Sequence, residues 1–250
     1  MTKYTYLLVN LLAVIVPLAW SFHPRIRFYR QWKFAIPSIL LAAALFIAWD
    51  IYFTSIGVWA FNQDYVTGLM ISGLPLEEWL FFFCIPYACL FTWFCLTRFF
   101  DFRWNRGYLR IFTAIFSASL LVIGVLYHDR LYTSAAFISA AVLCILLAFV
   151  LKANWIGKAF TVYAILLLPF FIVNGILTGT GLNEPVVWYN DQENLGLRIG
   201  TIPVEDIFYG FALFLLNLFL FFSLQSLAKN RFRKMDLGDS LSCPHRDQLQ

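Results

Sequence analysis

The sequence predicts an all-α membrane protein with seven transmembrane helices. Hydrophobic residues make up 61% of the 250 residues and charged residues only 13%, whereas a soluble domain is about 45–50% apolar and about 25% charged. Seven apolar runs reach or approach the ~20 residues that cross a bilayer. A chain in lipid must satisfy its backbone polar groups internally, so these runs are predicted as helices.

The seven predicted helices cover residues 4–20, 34–51, 76–97, 108–127, 131–151, 159–177 and 204–227. The first is short and contains Pro17, but it lacks the small-residue cleavage pattern of a signal peptide, so we expect a retained helix. Pro37, Pro86 and Pro169 fall inside other helices. Neighbouring membrane helices can satisfy the backbone groups that proline frees, so these residues predict kinks and not helix ends.

The basic residues predict the orientation of the helices. They concentrate in the connections after helices one, three and five and in the C-terminal tail, and among the 18 Lys and Arg residues only Lys3, Arg130 and Arg198 fall on the opposite side. Because basic segments stay in the cytoplasm, the N-terminus is predicted outside and the C-terminus inside. We expect a multi-pass protein of the cell (plasma) membrane, in contact with membrane lipids.

A loop motif that occurs twice divides the chain. In each copy a tryptophan, an asparagine and a glycine precede a proline and two adjacent carboxylates: Trp59, Asn62, Gly68, Pro75, Glu77 and Glu78 in the first, and Trp188, Asn190, Gly196, Pro203, Glu205 and Asp206 in the second. Asparagine and proline are 13 positions apart in both. Both loops fall on the outer side, which predicts two parallel repeats.

The predicted organisation follows from this duplication. Residues 1–107 form the first repeat, 108–130 a connecting helix, and 131–228 the second repeat. The polar residues 229–250 are predicted to be a disordered cytoplasmic tail.

The paired carboxylates are the candidate catalytic groups. A proline and carboxylates at a helix start also serve as a cap, but Glu77, Glu78, Glu205 and Asp206 recur in pairs at fixed spacing and precede apolar aromatic segments. Acidic groups at membrane depth are functional candidates by default. Adjacent helical residues point about 100° apart, so we expect one member of each pair to face the interior and the other the loop. Burial and neighbouring like charge favour a protonated carboxyl group, which can act as a general acid.

Seven further residues are candidates for binding or orienting a substrate. Asn62, Asn190, Asn174 and Asp50 are predicted at the level of the carboxylates, although each also fits a turn or cap. Trp59, Trp188 and Tyr65 fit an aromatic belt at the membrane interface, or ring faces that stabilise a cation in a dry site.

Several classes of site are excluded or disfavoured by absent patterns. The sequence has no Gly-x-Gly-x-x-Gly fingerprint, so no bound flavin or nicotinamide is implied. Predicted helix seven has no lysine, which excludes a retinal Schiff base there. The five cysteines show no metal-binding spacing, and the two loops together hold one basic residue, Arg198, too few for a diphosphate site. We therefore predict no metal, no cofactor and no nucleic-acid partner.

The two three-helix repeats, each with a Trp–Asn–Gly loop leading to Pro-x-Glu-Glu or Pro-x-Glu-Asp, resemble the carotenoid (lycopene) cyclases of the heterodimeric and fungal type, in a fused single-chain form. The resemblance covers about residues 4–227. One departure is Asp206 in place of Glu78, and another is Thr201 in place of Gly73.

The resemblance implies a lycopene β-cyclase, an isomerase that needs no redox cofactor and meets lycopene or other acyclic carotenoids within the bilayer. An acid protonates the terminal double bond, the next double bond captures the cation to close a ring, and a base removes a proton. Conversion to β-carotene through γ-carotene is expected, with ε rings also open. The alternative is a proton-coupled transporter or an intramembrane carotenoid-binding protein that uses the same carboxylates.

Overall fold

The computed structural model describes residues 3–241 and is mainly helical. Its α-helices are α1 (Thr5–Trp20), α2 (Trp32–Ser55), α3 (Leu76–Phe99), α4 (Arg106–Leu126), α5 (Leu131–Ile145, continued by a π-helical turn, Leu146–Val150), α6 (Ile156–Leu177) and α7 (Val204–Leu241). In this part of the chain six helices are long and apolar enough to cross a membrane, and α1 is apolar but only 16 residues long. The prediction of an all-α membrane protein is confirmed at this level.

The outer faces of these helices carry large apolar side chains that have no protein neighbours to cover them. Their exposure is highest near the middle of α1, α2 and α6, at Leu12, Leu45 and Leu168, whereas α4 has exposed apolar side chains along its whole length, such as Ile115. Contiguous exposed apolar surface of this kind marks contact with lipid or another apolar partner. The polar and charged side chains of the loops sit instead at the two ends of the bundle.

Three predicted features of individual helices can be compared with the structure. Pro17, Pro37, Pro86 and Pro169 all lie inside helices, as predicted. Three helices begin earlier than predicted, α2 at Trp32, α4 at Arg106 and α6 at Ile156. The last helix runs on to Leu241, beyond its predicted end at 227, through a segment rich in Lys and Arg, which have good helix propensity. The predicted disordered tail therefore begins as helix, and its residues 242–250 lie outside the described range.

In each repeat the first helix packs against the third, and the two repeats also pack against each other. α1 packs against α3 in the first repeat, and α5 packs against α7 in the second. Across the repeats, α2 contacts α7 and α6 contacts α3. The connecting helix α4 packs on α5. Each half therefore supplies part of the surroundings of the other half's carboxylate-bearing helix.

Short strands join the two loops. Strand β1 (Trp59–Phe61) pairs in antiparallel fashion with β4 (Val187–Tyr189), with Trp59 opposite Tyr189. Each loop then forms a hairpin, β2–β3 (Met70–Ile71 and Leu74–Pro75) and β5–β6 (Arg198–Ile199 and Ile202–Pro203), directly before α3 and α7.

The hairpin turns explain one difference between the copies. In the first turn both central residues, Ser72 and Gly73, have positive φ (51° and 85°), typical of a type I′ turn. In the second turn glycine stands first, with φ 64° at Gly200, so the next position tolerates Thr201. The different residues thus close hairpins of the same length.

Candidate active site

The first turns of α3 and α7 bury both carboxylates of each pair. Glu77 and Glu205 are fully buried, and Glu78 and Asp206 nearly so. Because adjacent helical positions diverge by about 100°, the two members of each pair enter different surroundings. The structure places Glu78 and Asp206 on a central cavity and Glu77 and Glu205 against their own loops.

Glu77 and Glu205 hold the loops onto the helices in the same way. Oε1 of Glu77 accepts a hydrogen bond from the backbone N–H of Thr67 at 2.7 Å, and Oε1 of Glu205 accepts one from Leu195 at 2.7 Å. The Thr133 hydroxyl also donates to Glu205, at 2.7 Å. Each carboxylate thus accepts a hydrogen bond from a backbone N–H that would otherwise have no partner. Its negative charge also interacts favourably with the positive N-terminal end of its helix.

The central cavity has a volume of about 260 Å³ and lies between α1, α3, α6 and α7. Glu78, Asp206 and Asp50 line its end near the loops, while Thr92 and Asn217 line its other end. Glu78 and Thr92 are about 21 Å apart along α3 at 1.5 Å per residue. The cavity is therefore a narrow tunnel that follows the helices, with acids from both repeats at one end.

The wall between these ends is almost entirely apolar or aromatic. It includes small and branched side chains such as Ala13, Ala88, Ile85 and Leu166 and the rings of Phe81 and Phe170. None of the described residues that line the cavity is Lys, Arg or His. Such a wall suits a long apolar ligand, since nearly all of its surface would leave water or lipid for protein contacts.

Hydrogen bonds from three helices and a strand hold the two cavity carboxylates. The Tyr6 hydroxyl of α1 donates to Oε2 of Glu78 at 2.5 Å, and the Tyr132 hydroxyl of α5 donates to Oδ1 of Asp206 at 2.5 Å. Oδ2 of Asp206 also accepts from Tyr189 Oη at 3.0 Å and from Asn174 Nδ2 at 3.1 Å. Burial, followed by the charge of Asp206, raises the pKa of Tyr189 well above its usual range, so its phenol stays a donor.

Aromatic rings surround the acidic end of the tunnel. The Trp59 ring lies 5.1 Å from that of Tyr132, 6.2 Å from Tyr189 and 6.3 Å from Tyr209, all in edge-on arrangements. All four side chains line the cavity. Electron-rich ring faces at a site without water can stabilise a cationic group.

A surface ion pair lies next to this end of the site. Nη2 of Arg198 contacts Oδ1 of Asp191 at 2.6 Å, and the guanidinium is 5.9 Å from the centre of the Tyr189 ring. Slight burial of Asp191 tends to raise the pKa of its carboxyl group. The hydrogen bonds from Arg198 and Asn194 outweigh this effect, so the pKa of Asp191 is lowered. The positive charge of Arg198 also acts on Asp206.

Four predicted site residues do not reach the cavity. Asn62 and Asn190 each accept a hydrogen bond from the backbone N–H two positions on, Asp64 at 3.0 Å and Gln192 at 3.1 Å. They are turn residues and do not orient the carboxylates, which corrects the predicted placement. Tyr65 is buried in the core but does not line the cavity.

Trp188 is the fourth predicted site residue that does not reach the cavity, and the strand register explains its position. Trp59 pairs with Tyr189 and Ala60 with Trp188, so the two tryptophans occupy neighbouring, not equivalent, places on β1 and β4. Successive strand residues face opposite sides; hence Trp59 is buried on the cavity while Trp188 is 51% exposed. Asp50, Asn174 and Trp59 line the cavity, and their role in binding or orienting a substrate stays a prediction.

Tyr6, Tyr132 and Tyr209 are cavity residues that were absent from the predicted site. Tyr6 and Tyr132 occupy the same place in the two repeats, the first turn of α1 and of α5, and each donates to a cavity carboxylate. Aligning the first helices of the repeats, and not only their loops, would have revealed this pair of tyrosines.

Gly210 lies where the tunnel wall leaves no room for a larger side chain. A Cβ added there would lie 2.9 Å from Tyr163 Oη and 3.5 Å from the Phe170 ring. We expect Gly210→Val to reduce conversion of a bound substrate about 10²-fold, since misplacement of a substrate by about 1 Å has effects of that size. Measuring turnover of the purified variant checks this.

The matched variant combines Gly210→Ala with Tyr163→Phe, which removes the hydroxyl nearest to the new methyl group. It should recover most of the activity that Gly210→Ala alone loses. Normal turnover in Gly210→Val would mean that the substrate does not pass this point of the tunnel.

Comparison with known proteins agrees with this architecture. The profile of the family described as Lycopene cyclase matches residues 3–96 and again residues 129–224. The first segment contains α1, α2 and most of α3, and the second contains α5, α6 and the first part of α7. Together they make up more than half of the chain, so the chain belongs to the lycopene cyclase family.

Two curated relatives are named lycopene beta-cyclase and come from Halobacterium salinarum strains R1 and NRC-1. Each is 33% identical to this chain over 86 residues, which is 33% of this chain and 34% of the relative. The chain thus spans about a third of the length of the curated relatives it matches. No solved structure matches it.

Proposed function

We propose that this member of the lycopene cyclase family closes rings at the acyclic ends of lycopene within the membrane. The observation that supports this most directly is a single apolar tunnel with carboxyl groups from both repeats, Glu78 and Asp206, at one end. Lycopene is an apolar polyene about as long as a bilayer is thick. The tunnel can hold one end of it beside an acid and a base, with the rest among apolar side chains.

The proposed reaction is an acid-initiated cyclisation. A carboxyl group protonates the terminal double bond, the tertiary cation is captured by the next double bond, and a six-membered ring closes. A carboxylate then removes a proton, which sets the double bond of the ring. The proton gained equals the proton lost and no electrons are exchanged, so the reaction needs no redox cofactor.

The geometry supports different roles for the four predicted catalytic carboxylates. Glu78 and Asp206 line the cavity and are the proposed acid and base, with Asp50 beside them. Glu77 and Glu205 are bonded to their loops and are proposed to position the neighbouring helix turn. Trp59, Tyr132, Tyr189 and Tyr209 would shield the cation.

The proposed product is β-carotene, formed through γ-carotene. It rests on the names of the Halobacterium relatives, lycopene beta-cyclase, together with the carboxylates that both repeats supply. β and ε rings differ only in which proton the base removes, so the position of the base relative to the new ring determines the outcome.

We also propose seven membrane spans, with the motif loops outside and the arginine-rich connection between α3 and α4 in the cytoplasm of a plasma-membrane protein. Single cysteines at Gln63 and Arg103, both exposed, in a variant without native cysteines test this. An impermeant maleimide should label Gln63→Cys in intact cells and Arg103→Cys only after permeabilisation, since basic segments remain inside. Labelling of both from one side would contradict the proposed topology.

The test of the proposed function is conversion of lycopene by the purified protein in liposomes without added nucleotide or metal. We expect γ-carotene first and β-carotene later. Glu78→Gln is the matched negative control, since it keeps shape and removes the titratable proton. A strict requirement for reduced flavin or nicotinamide would contradict cofactor independence, and lycopene binding without conversion would favour the carotenoid-binding alternative.

A further inference from the structure

The two halves of the acidic site are built from equivalent positions that carry different residues. Equivalence follows from matching backbone bonds: Val58 N–H donates to Phe53 in the first repeat, as Val186 N–H donates to Leu177 in the second. Asp50 and Asn174 each stand three positions before those acceptors. Asp50 and Asn174 therefore occupy equivalent positions in the two repeats, with an acid in the first repeat and an amide in the second.

Two more pairs of equivalent residues differ between the repeats in the same way. Met70 and Arg198 are equivalent, since each pairs with the proline that precedes its carboxylate helix, Pro75 or Pro203. Phe61 and Tyr189 end the equivalent strands β1 and β4, and both line the cavity. At each of the three places the second repeat has a hydrogen-bond donor or a positive charge that the first repeat lacks.

These differences converge on Asp206. Its carboxylate accepts hydrogen bonds from Tyr132, Tyr189 and Asn174, and the positive charge of Arg198 partly offsets the negative charge of the neighbouring Glu205. Donors to both oxygens and a nearby cation stabilise a carboxylate in its ionised form. The second repeat is therefore arranged to keep a base.

The surroundings of Glu78 favour the opposite state, a protonated carboxyl group. Within the described residues Tyr6 is its one side-chain hydrogen-bond donor, and a second acid, Asp50, lies close enough for the two charges to interact. Among the described residues, Oδ2 of Asp50 is buried without a direct hydrogen-bond partner, and the Trp59 side chain is the one donor that acts on this carboxyl group. Two neighbouring carboxyl groups in such a place cannot both be ionised, so they retain a proton between them.

We infer that the repeats divide the reaction between them: Glu78 of the first, in partnership with Asp50, donates the proton, and Asp206 of the second removes it. The inference rests on the proposed function and assigns the two chemical steps to particular residues. Tyr189 and Asn174 are positioning residues, because they act by holding Asp206.

The proton balance closes over one cycle. The O–H bond of Glu78 breaks as the electrons of the terminal alkene form a C–H bond, which leaves a tertiary cation. The electrons of the next double bond then form the new ring C–C bond. A ring C–H bond then breaks, its electrons become the ring double bond, and its proton passes to Asp206. Loss of that proton from Asp206 to solvent and uptake of a solvent proton by Glu78 restore the site.

Conversion of lycopene in D₂O by the reconstituted protein separates the two roles, with mass spectrometry of every carotenoid recovered. Glu78→Gln should form no rings and take up no deuterium, because the cation never forms. Asp206→Asn should lose the normal ring by about 10²–10⁴-fold but still take up deuterium, in products whose ring double bond lies elsewhere. Tyr189→Phe, which copies Phe61, should shift the ratio of ring isomers while deuterium uptake persists.

Deuterium uptake that survives in Glu78→Gln and disappears in Asp206→Asn would overturn the assignment, as would equal loss in both. Both amide variants must still bind lycopene, which fluorescence quenching of the cavity tryptophan Trp59 reports. If Asp206→Asn fails to fold, Tyr189→Phe carries the test, and an unchanged isomer ratio there overturns the role given to the second repeat. Absence of lycopene conversion by the unaltered protein would contradict the proposed function itself, so the two failures are distinguishable.

Discussion

Glu78→Gln and Asp206→Asn are each expected to stop normal closure of both ends of lycopene. The two carboxyl groups share one cavity, so neither repeat alone provides an acid and an opposing base. General acid–base catalysis contributes roughly 10²–10⁴-fold, and each amide should reduce the rate by about that factor. Product analysis at matched protein levels in liposomes measures both γ-carotene and β-carotene.

Asp64→Asn is the matched control, because Asp64 is an exposed carboxylate of the same loop that does not line the cavity. It should cyclise at a nearly normal rate. If each repeat were a separate site, each single amide variant would still close both ends at about half the rate. That result would contradict a shared site, and near-normal rates in both variants would remove the carboxylates from the chemistry.

Glu77→Leu and Glu205→Leu are expected to lower the stability of the folded protein. Any effect on the catalytic rate should be secondary. Each substitution leaves a partly buried backbone N–H, that of Thr67 or Leu195, without its acceptor. A buried donor left unsatisfied costs about 1–3 kcal/mol. Thermal unfolding in detergent should show the loss, and limited proteolysis should show earlier cleavage in the affected loop.

The amide variants Glu77→Gln and Glu205→Gln separate this role from catalysis. An amide oxygen still accepts the loop N–H, so most of the stability and most of the activity should remain. The same change at Glu78 should remove activity. If Glu77→Gln were as inactive as Glu78→Gln at equal stability, the positioning role of Glu77 would be wrong.

The helical membrane fold could be read from composition and apolar run length. In lipid a chain has few ways to satisfy its backbone, so hydropathy alone predicts the helices to within a few residues, apart from the C-terminal end of α7, which runs on to Leu241. The duplication was also visible, because Asn62, Pro75 and the carboxylates recur at the same spacing as Asn190 and Pro203. Spacing places residues at the same depth. It does not say which way their side chains point.

The tertiary structure decided which residues meet. Asn62 and Asn190 are prominent in the motif, yet they close turns, while Tyr6 and Tyr132 reach the carboxylates from helices far away in sequence. A one-residue difference in strand position separates Trp59 from Trp188 and sends them to opposite faces.

Sequence alone therefore determined the helices, the repeat and the presence of paired acids, because these depend on hydropathy and local spacing. Only the packing of α1, α5 and α6 around α3 and α7 decided that Glu78 and Asp206 face the cavity and Glu77 and Glu205 the loops. Only the pairing of the repeats placed Asp50 and Asn174 at equivalent points beside different carboxylates. The physical reason is that burial and hydrogen bonding in a membrane site come from neighbours distant in the chain, whose identity local sequence does not contain.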